Sequence, residues 1–225
     1  MQRIPEPELM DEPEQALAYA SADFSEPNQL FVDLFTRLVD NRQVEGNVLD
    51  LGCGPGDICI RLAESFPSLQ FLGIDGSRAM LEHAYTAVKS KQTIQNRVVF
   101  QEMNIPSSQI PTSAFDYVIS NSLLHHLHDP EVLWNIVKHC SKPGALVLVM
   151  DLFRPGSMEE ATAIVETYAG DEAAILKQDF FNSLCAAFTI EEVKWQLNEA
   201  GLADFTVTEV SDRHLFVSGR LTSSS

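Results

Sequence analysis

The sequence predicts a doubly wound α/β domain, and three observations carry that prediction. Apolar strand runs alternate with helical stretches from residue 47 to residue 150, and the first run ends in a glycine-rich turn. The second run ends in an acidic residue, Asp75, 19 positions after the last glycine of that turn. Alternation of this kind implies a parallel sheet with helices on both faces, joined by right-handed crossovers.

Length and charge narrow the class further. At 225 residues with 45% hydrophobic side chains, the chain fits one large domain or one domain with a modest appendage. A chain of this size buries about 70% of its extended surface and needs neither metal nor disulfide staples to fold. It carries 15 Lys+Arg against 32 Asp+Glu, a net charge of −17. Duplex nucleic acid is bound by clustered cations that release counterions, whereas Lys142, Arg154 and Arg213 stand apart here. Nucleic acid and an anionic membrane surface are therefore excluded as expected partners. Cys53, Cys59, Cys140 and Cys185 form no C-x-x-C pair, and no apolar leader or membrane-length run of about 18 residues is present. The expectation is a reduced, cytoplasmic enzyme or binding protein, monomer or homodimer.

The elements follow in order. MQRIPEPELM reads as an extended arm that docks late, if at all. Asp11–Ala22 reads as a short helix and Pro27–Val39 as a second, whose Leu30, Phe31, Leu34, Phe35 and Leu38 form a core-facing stripe. Strand runs fall at Asn47–Leu51, Gln70–Ile74, Arg97–Phe100, Phe115–Ser120 and Ala145–Met150, apolar on both faces as buried parallel strands are. Helices are expected at Asp57–Phe66, Ser77–Lys89 and Pro130–Cys140, the last with Asp129 as N-cap and Pro130 at N1. Residues 154–188 break the rhythm and read as one or two extra helices. A helix over Thr189–Ala200 ends at Gly201, strands follow near Phe205–Val210 and His214–Ser218, and the tail Leu221–Ser225 is expected to be disordered.

The chemistry concentrates in VLDLGCGPGDICIRLA, Val48 to Ala63. Gly52, Gly54 and Gly56 allow positive φ and a close approach of backbone to ligand. The dinucleotide fingerprint G-x-G-x-x-G places its third glycine where Asp57 stands. A carboxylate there occupies the helix N-terminus that would hold a pyrophosphate, which argues against NAD, NADP and FAD. Asp50, at the carboxyl end of the first strand run, suits an amino group or positive charge. In FLGIDGSRAML, Phe71 to Leu81, Asp75 ends the strand where an acidic side chain accepts from both ribose hydroxyls of a nucleoside. Asp75 could instead cap the next helix, a role that Ser77 can fill.

These residues resemble motifs I and II of the class I S-adenosylmethionine-dependent methyltransferases, over roughly Val48 to Met150. The resemblance implies a Rossmann-like sheet of seven strands in the order 3-2-1-4-5-7-6, strand 7 antiparallel, with N-terminal helices and a helical insertion after strand 5. It implies one methyltransferase domain over 1–225: an N-terminal helical cap (1–45), a cofactor-binding core (46–153), a lid-like insertion (154–188) and a C-terminal helix and strands (189–220). Gly52, Cys53, Gly54 and Gly56 would border the methionine moiety of S-adenosylmethionine, with Cys53 as packing, not nucleophile, and Asp50 at the ammonium end. Asp75 would hold the ribose, with Gly76, Ser77 and Met80 near the adenine. Where the family commonly offers an Asp to the adenine amino group, this chain reads Met103-Asn104-Ile105, so the Asn104 amide would substitute. Ser120 and Asn121 would complete the cofactor set, and S-adenosylhomocysteine would be the product.

SNSLLHHLHDP, Ser120 to Pro130, resembles the small-molecule branch that contains the ubiquinone and menaquinone C-methyltransferases. It lacks the N/D-P-P-Y/F motif of amino-group methylases and the metal-ligand pattern of catechol-type O-methyltransferases. His125 and His126 are candidates for a general base or substrate anchor; the alternative is packing or capping, the preferred reading for His128. No acidic or cysteine cluster near them in sequence offers a metal site. Candidate substrate residues are Tyr19, Phe24, Arg154, Tyr168, Phe180 and Asn182, with Arg154 facing an anionic group. Arg213 and His214 read as edge or dimer contacts. The leading expectation is methyl transfer to a small-molecule O, N, C or S nucleophile, mainly by positioning. A protein methyltransferase and a non-catalytic S-adenosylmethionine-binding module are the alternatives, and a dinucleotide oxidoreductase is the weakest.

Overall fold

The computed structural model describes residues 1–6, 17, 19, 22–39 and 44–222. The expected helix at Asp11–Ala22 lies outside the described residues except for Leu17, Tyr19 and Ala22. The sheet is built from β1 (Gly46–Leu51), β2 (Leu69–Asp75), β3 (Val98–Glu102), β4 (Phe115–Asn121), β5 (Ser141–Leu152), β6 (Thr206–Glu209) and β7 (His214–Arg220). Their order is β3-β2-β1-β4-β5-β7-β6, with β7 antiparallel to both neighbours and the first five strands parallel. Eight-residue-plus helices fill the connections: α1 (Ser25–Val39), α2 (Asp57–Ser65), α3 (Arg78–Lys89), α4 (Glu131–Cys140), α5 (Met158–Ala169), α6 (Ala174–Ala186) and α7 (Ile190–Glu199). Among the described residues no helix is long and apolar enough to cross a membrane.

The period-two alternation of buried strands sorts the core into two layers. β1 sends Val48 toward α1, α2 and α3, where Phe31, Phe35, Leu62 and Leu81 are buried. It sends Leu49 and Leu51 to the opposite face, against Trp134 and Val137 of α4 and Val193 and Leu197 of α7. β5 divides the same way, Leu146 and Leu148 to one layer and Val147 and Val149 to the other. The α1 stripe is turned slightly from expectation: Val32 and Val39 are buried, whereas Leu38 is exposed.

Capping follows local chemistry. The Ser77 hydroxyl accepts the Met80 N–H and starts α3, and Thr189 and Glu192 form a reciprocal capping box on α7. At α4 the helix begins one residue later than expected, with Pro130 at the cap, while Asp129 Oδ1 accepts the Glu131 N–H. Residues 154–188 form two helices, α5 and α6, which pack against each other through Ala161, Val165, Leu184 and Ala187.

Both termini are more engaged than the sequence suggested. The amino group of Met1 donates to the Gly156 carbonyl, the Ile4 N–H to Cys185, and Arg3 to the carbonyls of His125, Leu127 and Ala186. Its guanidinium also lies 3.9 Å above the Phe188 ring. At the other end, Leu221 is not disordered: it exchanges backbone hydrogen bonds with Gly144 and Ala145. Residues 223–225 lie outside the described residues.

Candidate active site

A cleft of about 690 Å³ opens over the carboxyl ends of β1, β2 and β4, where ligands bind in open α/β sheets. Asp50, Gly52, Cys53 and Gly54 reach it from β1 and its turn, and Asp75, Gly76, Ser77 and Met80 from β2 and α3. Met103, Asn104 and Ile105 enter after β3, and Asn121 after β4. Two expected cofactor residues do not line it. Gly56 caps α2 with φ 83°, and the Ser120 hydroxyl is buried in a hydrogen bond to the Leu51 carbonyl.

The loop geometry explains its glycines. Gly54 has φ 52°, and a Cβ there would meet nothing within 4 Å, so that side of the backbone is open to a ligand. At Gly56 a Cβ would sit 2.4 Å from Cζ of Phe100. Gly52 and Cys53 both donate their N–H to the Ile74 carbonyl, which ties the turn to the end of β2.

The two carboxylates differ in environment. Asp75 accepts the Gly54 N–H on one oxygen and the Ser77 N–H on the other, both at 2.8 Å. Because Ser77 caps the helix, Asp75 keeps its remaining lone pairs for the cleft. Among the described residues, Asp50 is buried with only the Cys59 thiol, 3.2 Å away, as donor. Burial pushes it up to about 7, against the pull of that thiol. A buried carboxylate so poorly compensated fits a cationic ligand group, such as an ammonium. Asn121 adds a buried Oδ1 with no hydrogen-bond partner among the described residues.

Beside the cleft lies a second chamber of about 270 Å³. The two share a wall that includes Tyr19, Phe24, Asn121, Ser122 and His126. Ser122 sits there at φ 56°, a left-handed conformation that turns the chain out of β4. Tyr19 and Phe24 pack ring to ring at 4.5 Å, and burial lifts the Tyr19 phenol to about 12, so it stays protonated. Tyr168 and Phe180 of the insertion line the far side, together with Arg213 and His214.

Other candidates are placed differently. Arg154 does not face the chamber: its guanidinium donates to the Ala187 and Met1 carbonyls and pairs with Glu192 at 2.6 Å. The expected anion contact is thereby corrected, because its donors are consumed inside the fold. Asn182 accepts from Gln178 on the exposed side of α6. Arg213, expected at an edge, is instead buried, 3.4 Å over the Tyr168 ring and paired with Asp212. His214 beside it is lowered to about 4 by burial and by Arg213.

The histidines of the β4–α4 loop also part company. His125 is buried, and its Nδ1 makes a short hydrogen bond to Asp151 of β5. Burial, the largest single influence, would lower His125, but the Asp151 charge and hydrogen bond together with the Glu6 charge outweigh it and the imidazole is raised. His126 stands on the shared wall, and the His128 ring contacts the Glu6 carbonyl. Sequence reasoning missed Asp151, which lies just past the expected Ala145–Met150 strand run, and Glu6, whose carboxylate approaches both His125 and His126 from the N-terminal arm. No signal near the histidines in sequence could have found either.

Comparison with known proteins decides the family. The methyltransferase domain family matches residues 22–207. The chain belongs to the class I S-adenosylmethionine-dependent methyltransferases. It is 27% identical over 168 residues to 27-O-demethylrifamycin SV methyltransferase of Amycolatopsis mediterranei, covering 73% of this chain and 56% of that one. It is 26% identical over 141 residues to malonyl-[acyl-carrier protein] O-methyltransferase of a Paenibacillus species, covering 62% and 51%. The chain thus spans about half the length of these curated relatives. The fold is that of a methyltransferase from Aquifex aeolicus, at a TM-score of 0.68 and 19% identity, covering 94% of this chain and 99% of that one. The methyltransferase cofactor, S-adenosylmethionine, fits the residues present: Asp50 for the ammonium, the open face of Gly54 for the methionine backbone, and Asp75 for the ribose.

Proposed function

We propose that this methyltransferase transfers a methyl group to a small-molecule acceptor held in the second chamber. The observation that carries the reading is the wall shared by the two cavities, which sets acceptor and cofactor side by side at Tyr19, Phe24, Asn121, Ser122 and His126. Bound S-adenosylmethionine supplies an activated methyl and its own leaving group, for in-line displacement by an O, N, C or S nucleophile. The chain's part is positioning, which can contribute on the order of 7–11 kcal/mol. Asp50 holds the ammonium end, Asp75 the ribose, and Met80 with Met103, Asn104 and Ile105 the adenine. His126 contacts the acceptor, with His125 held behind it by Asp151. The pair acts as anchor, or as base where the acceptor must lose a proton, an effect of about 10²–10⁴-fold.

The insertion over 154–188 serves as lid, with Tyr168 and Phe180 against an apolar or aromatic acceptor. Two named relatives methylate small molecules or a carrier-bound acyl group. The net charge of −17 is consistent with a partner that is not nucleic acid. Four buried free cysteines are consistent with a reduced cytoplasmic setting, as monomer or homodimer.

The test is to incubate the protein with methyl-labelled S-adenosylmethionine and a small-molecule extract of its source, then to pass the mixture through a size filter. Label is expected in the low-mass fraction, on a compound other than the cofactor or its breakdown products. Label retained with macromolecules would favour protein methylation, and cofactor binding without any transfer would favour a non-catalytic module.

A further inference from the structure

At the edge of the second chamber three side chains from distant parts of the chain converge. Glu6 Oε1 lies 3.5 Å from His125 Nε2 and 3.3 Å from His126 Nδ1, and the three atoms lie within 4.8 Å of one another. All three side chains are largely buried: Glu6 is 11% exposed, His125 4% and His126 14%. The two imidazole rings stand 4.2 Å apart, tilted by 35°, so that both meet the same carboxylate.

The separations are the informative quantity. Charge-assisted hydrogen bonds between nitrogen and carboxylate run about 2.7–2.9 Å, shorter than either contact. An ion with ligand bonds of about 2.0–2.1 Å in tetrahedral coordination sets its ligand atoms about 3.3–3.4 Å apart. Six-coordination at the same bond lengths would draw neighbouring ligands to about 2.9 Å. The two carboxylate–imidazole distances lie close to the tetrahedral edge.

The surroundings ask for a cation as well. With its Nδ1 paired to Asp151, His125 presents Nε2 to Glu6, and an ion bound between them would take the place of the Nε2 proton. A carboxylate behind a histidine is also the usual device that fixes a metal ligand's tautomer and ring orientation. Ser183 donates to the same Glu6 oxygen at 3.0 Å and orients it. Asp179, whose charge reaches Glu6, has a buried Oδ2 with no hydrogen-bond partner among the described residues. Arg3, the nearby cation, spends its donors on backbone carbonyls.

We propose that Glu6, His125 and His126 form a binding site for a divalent transition-metal ion of the zinc class, with its fourth position open to the second chamber. Two imidazoles and one carboxylate with an open position are a ligand set used by catalytic zinc. The identity of the fourth ligand as an acceptor heteroatom rests on the function proposed above, the three protein ligands do not, and with the ion bound the histidines anchor the acceptor through it instead of acting as base. The N-terminal arm thereby becomes part of the site, since it delivers Glu6.

The test uses the full chain, stripped with a chelator and titrated with cobalt(II). One ion per chain is expected, with the intense visible bands of tetrahedral coordination by nitrogen and oxygen, displaced by zinc(II). Glu6→Gln and His126→Gln should each weaken cobalt binding at least tenfold, whereas His139→Gln, outside the cluster, should leave it unchanged. S-adenosylhomocysteine affinity, measured on the same samples, reports whether each variant is folded and tests the methyltransferase reading separately. Lost cobalt with retained S-adenosylhomocysteine supports the site. Absence of a bound ion in the wild type, a thiolate-to-cobalt band that puts the ion on cysteine, or undiminished binding in Glu6→Gln would overturn it.

Discussion

The carboxylate of Asp75, at the end of β2, accepts the backbone N–H of Gly54 in the turn after β1 at 2.8 Å. One side chain therefore both braces the glycine turn and lines the cleft. Asp75→Ala should weaken S-adenosylhomocysteine binding roughly 10- to 100-fold, the worth of hydrogen bonds to a charged group. Calorimetric titration checks this, and a loss under about threefold would remove Asp75 from the ribose.

Asp50 should make cofactor affinity depend on pH. Its carboxyl is raised by burial to about 7 in the folded apoprotein, well above the unfolded value of about 3.9. Below about pH 4 the group is neutral in both states and costs nothing. As pH rises toward 7 the unfolded chain ionises first, and folding loses stability, in full on the order of 4 kcal/mol. With Asp50 at the ammonium, as proposed, cofactor binding should have the opposite slope, because an ammonium needs the ionised carboxylate. Affinity should rise up to about pH 7 and fall again above about 8, where an α-amino group loses its proton. Asp50→Asn should abolish the rising limb and raise the apoprotein's Tm at pH 8.

Gly54 and Gly56 should separate binding from stability. Gly56→Ala drives a methyl into the Phe100 ring at positive φ, a combined cost of roughly 2–5 kcal/mol. For a chain of this length that is a Tm fall on the order of 10 °C. Gly54→Ala meets no protein atom, so its stability cost should stay near the backbone strain of about 1 kcal/mol. Its methyl enters the space kept for the ligand, and S-adenosylhomocysteine affinity should drop instead. Thermal melts and titrations on both variants give the comparison.

Arg154 and Arg213 should also behave oppositely. Arg154→Met strands the Ala187 carbonyl and removes the partner of Glu192. The expected loss is about 1–3 kcal/mol of stability with unchanged acceptor KM. Arg213→Met removes a guanidinium that lines the second chamber over Tyr168, and, with the acceptor held there as proposed, the acceptor KM should change by more than the Tm does.

The sequence by itself determined the parallel sheet, the glycine turn, the placement of Asp50 and Asp75 near strand ends, and the Ser77 cap. Each is written within a short stretch of chain, in apolar periodicity, in glycines at fixed spacing, or in a hydroxyl two residues after a carboxylate. Only the tertiary structure decided what surrounds the histidines. Asp151 meets His125 because β5 lies beside β4, and Glu6 arrives because the arm is tied to α6 and the β4–α4 loop. It likewise decided that Arg154 is spent inside the fold while Arg213 faces the chamber. The physical reason is range. Hydrogen bonds and repeating apolar positions along one element leave a local trace, whereas convergence of side chains from distant segments depends on how the sheet is ordered and how the arm is held.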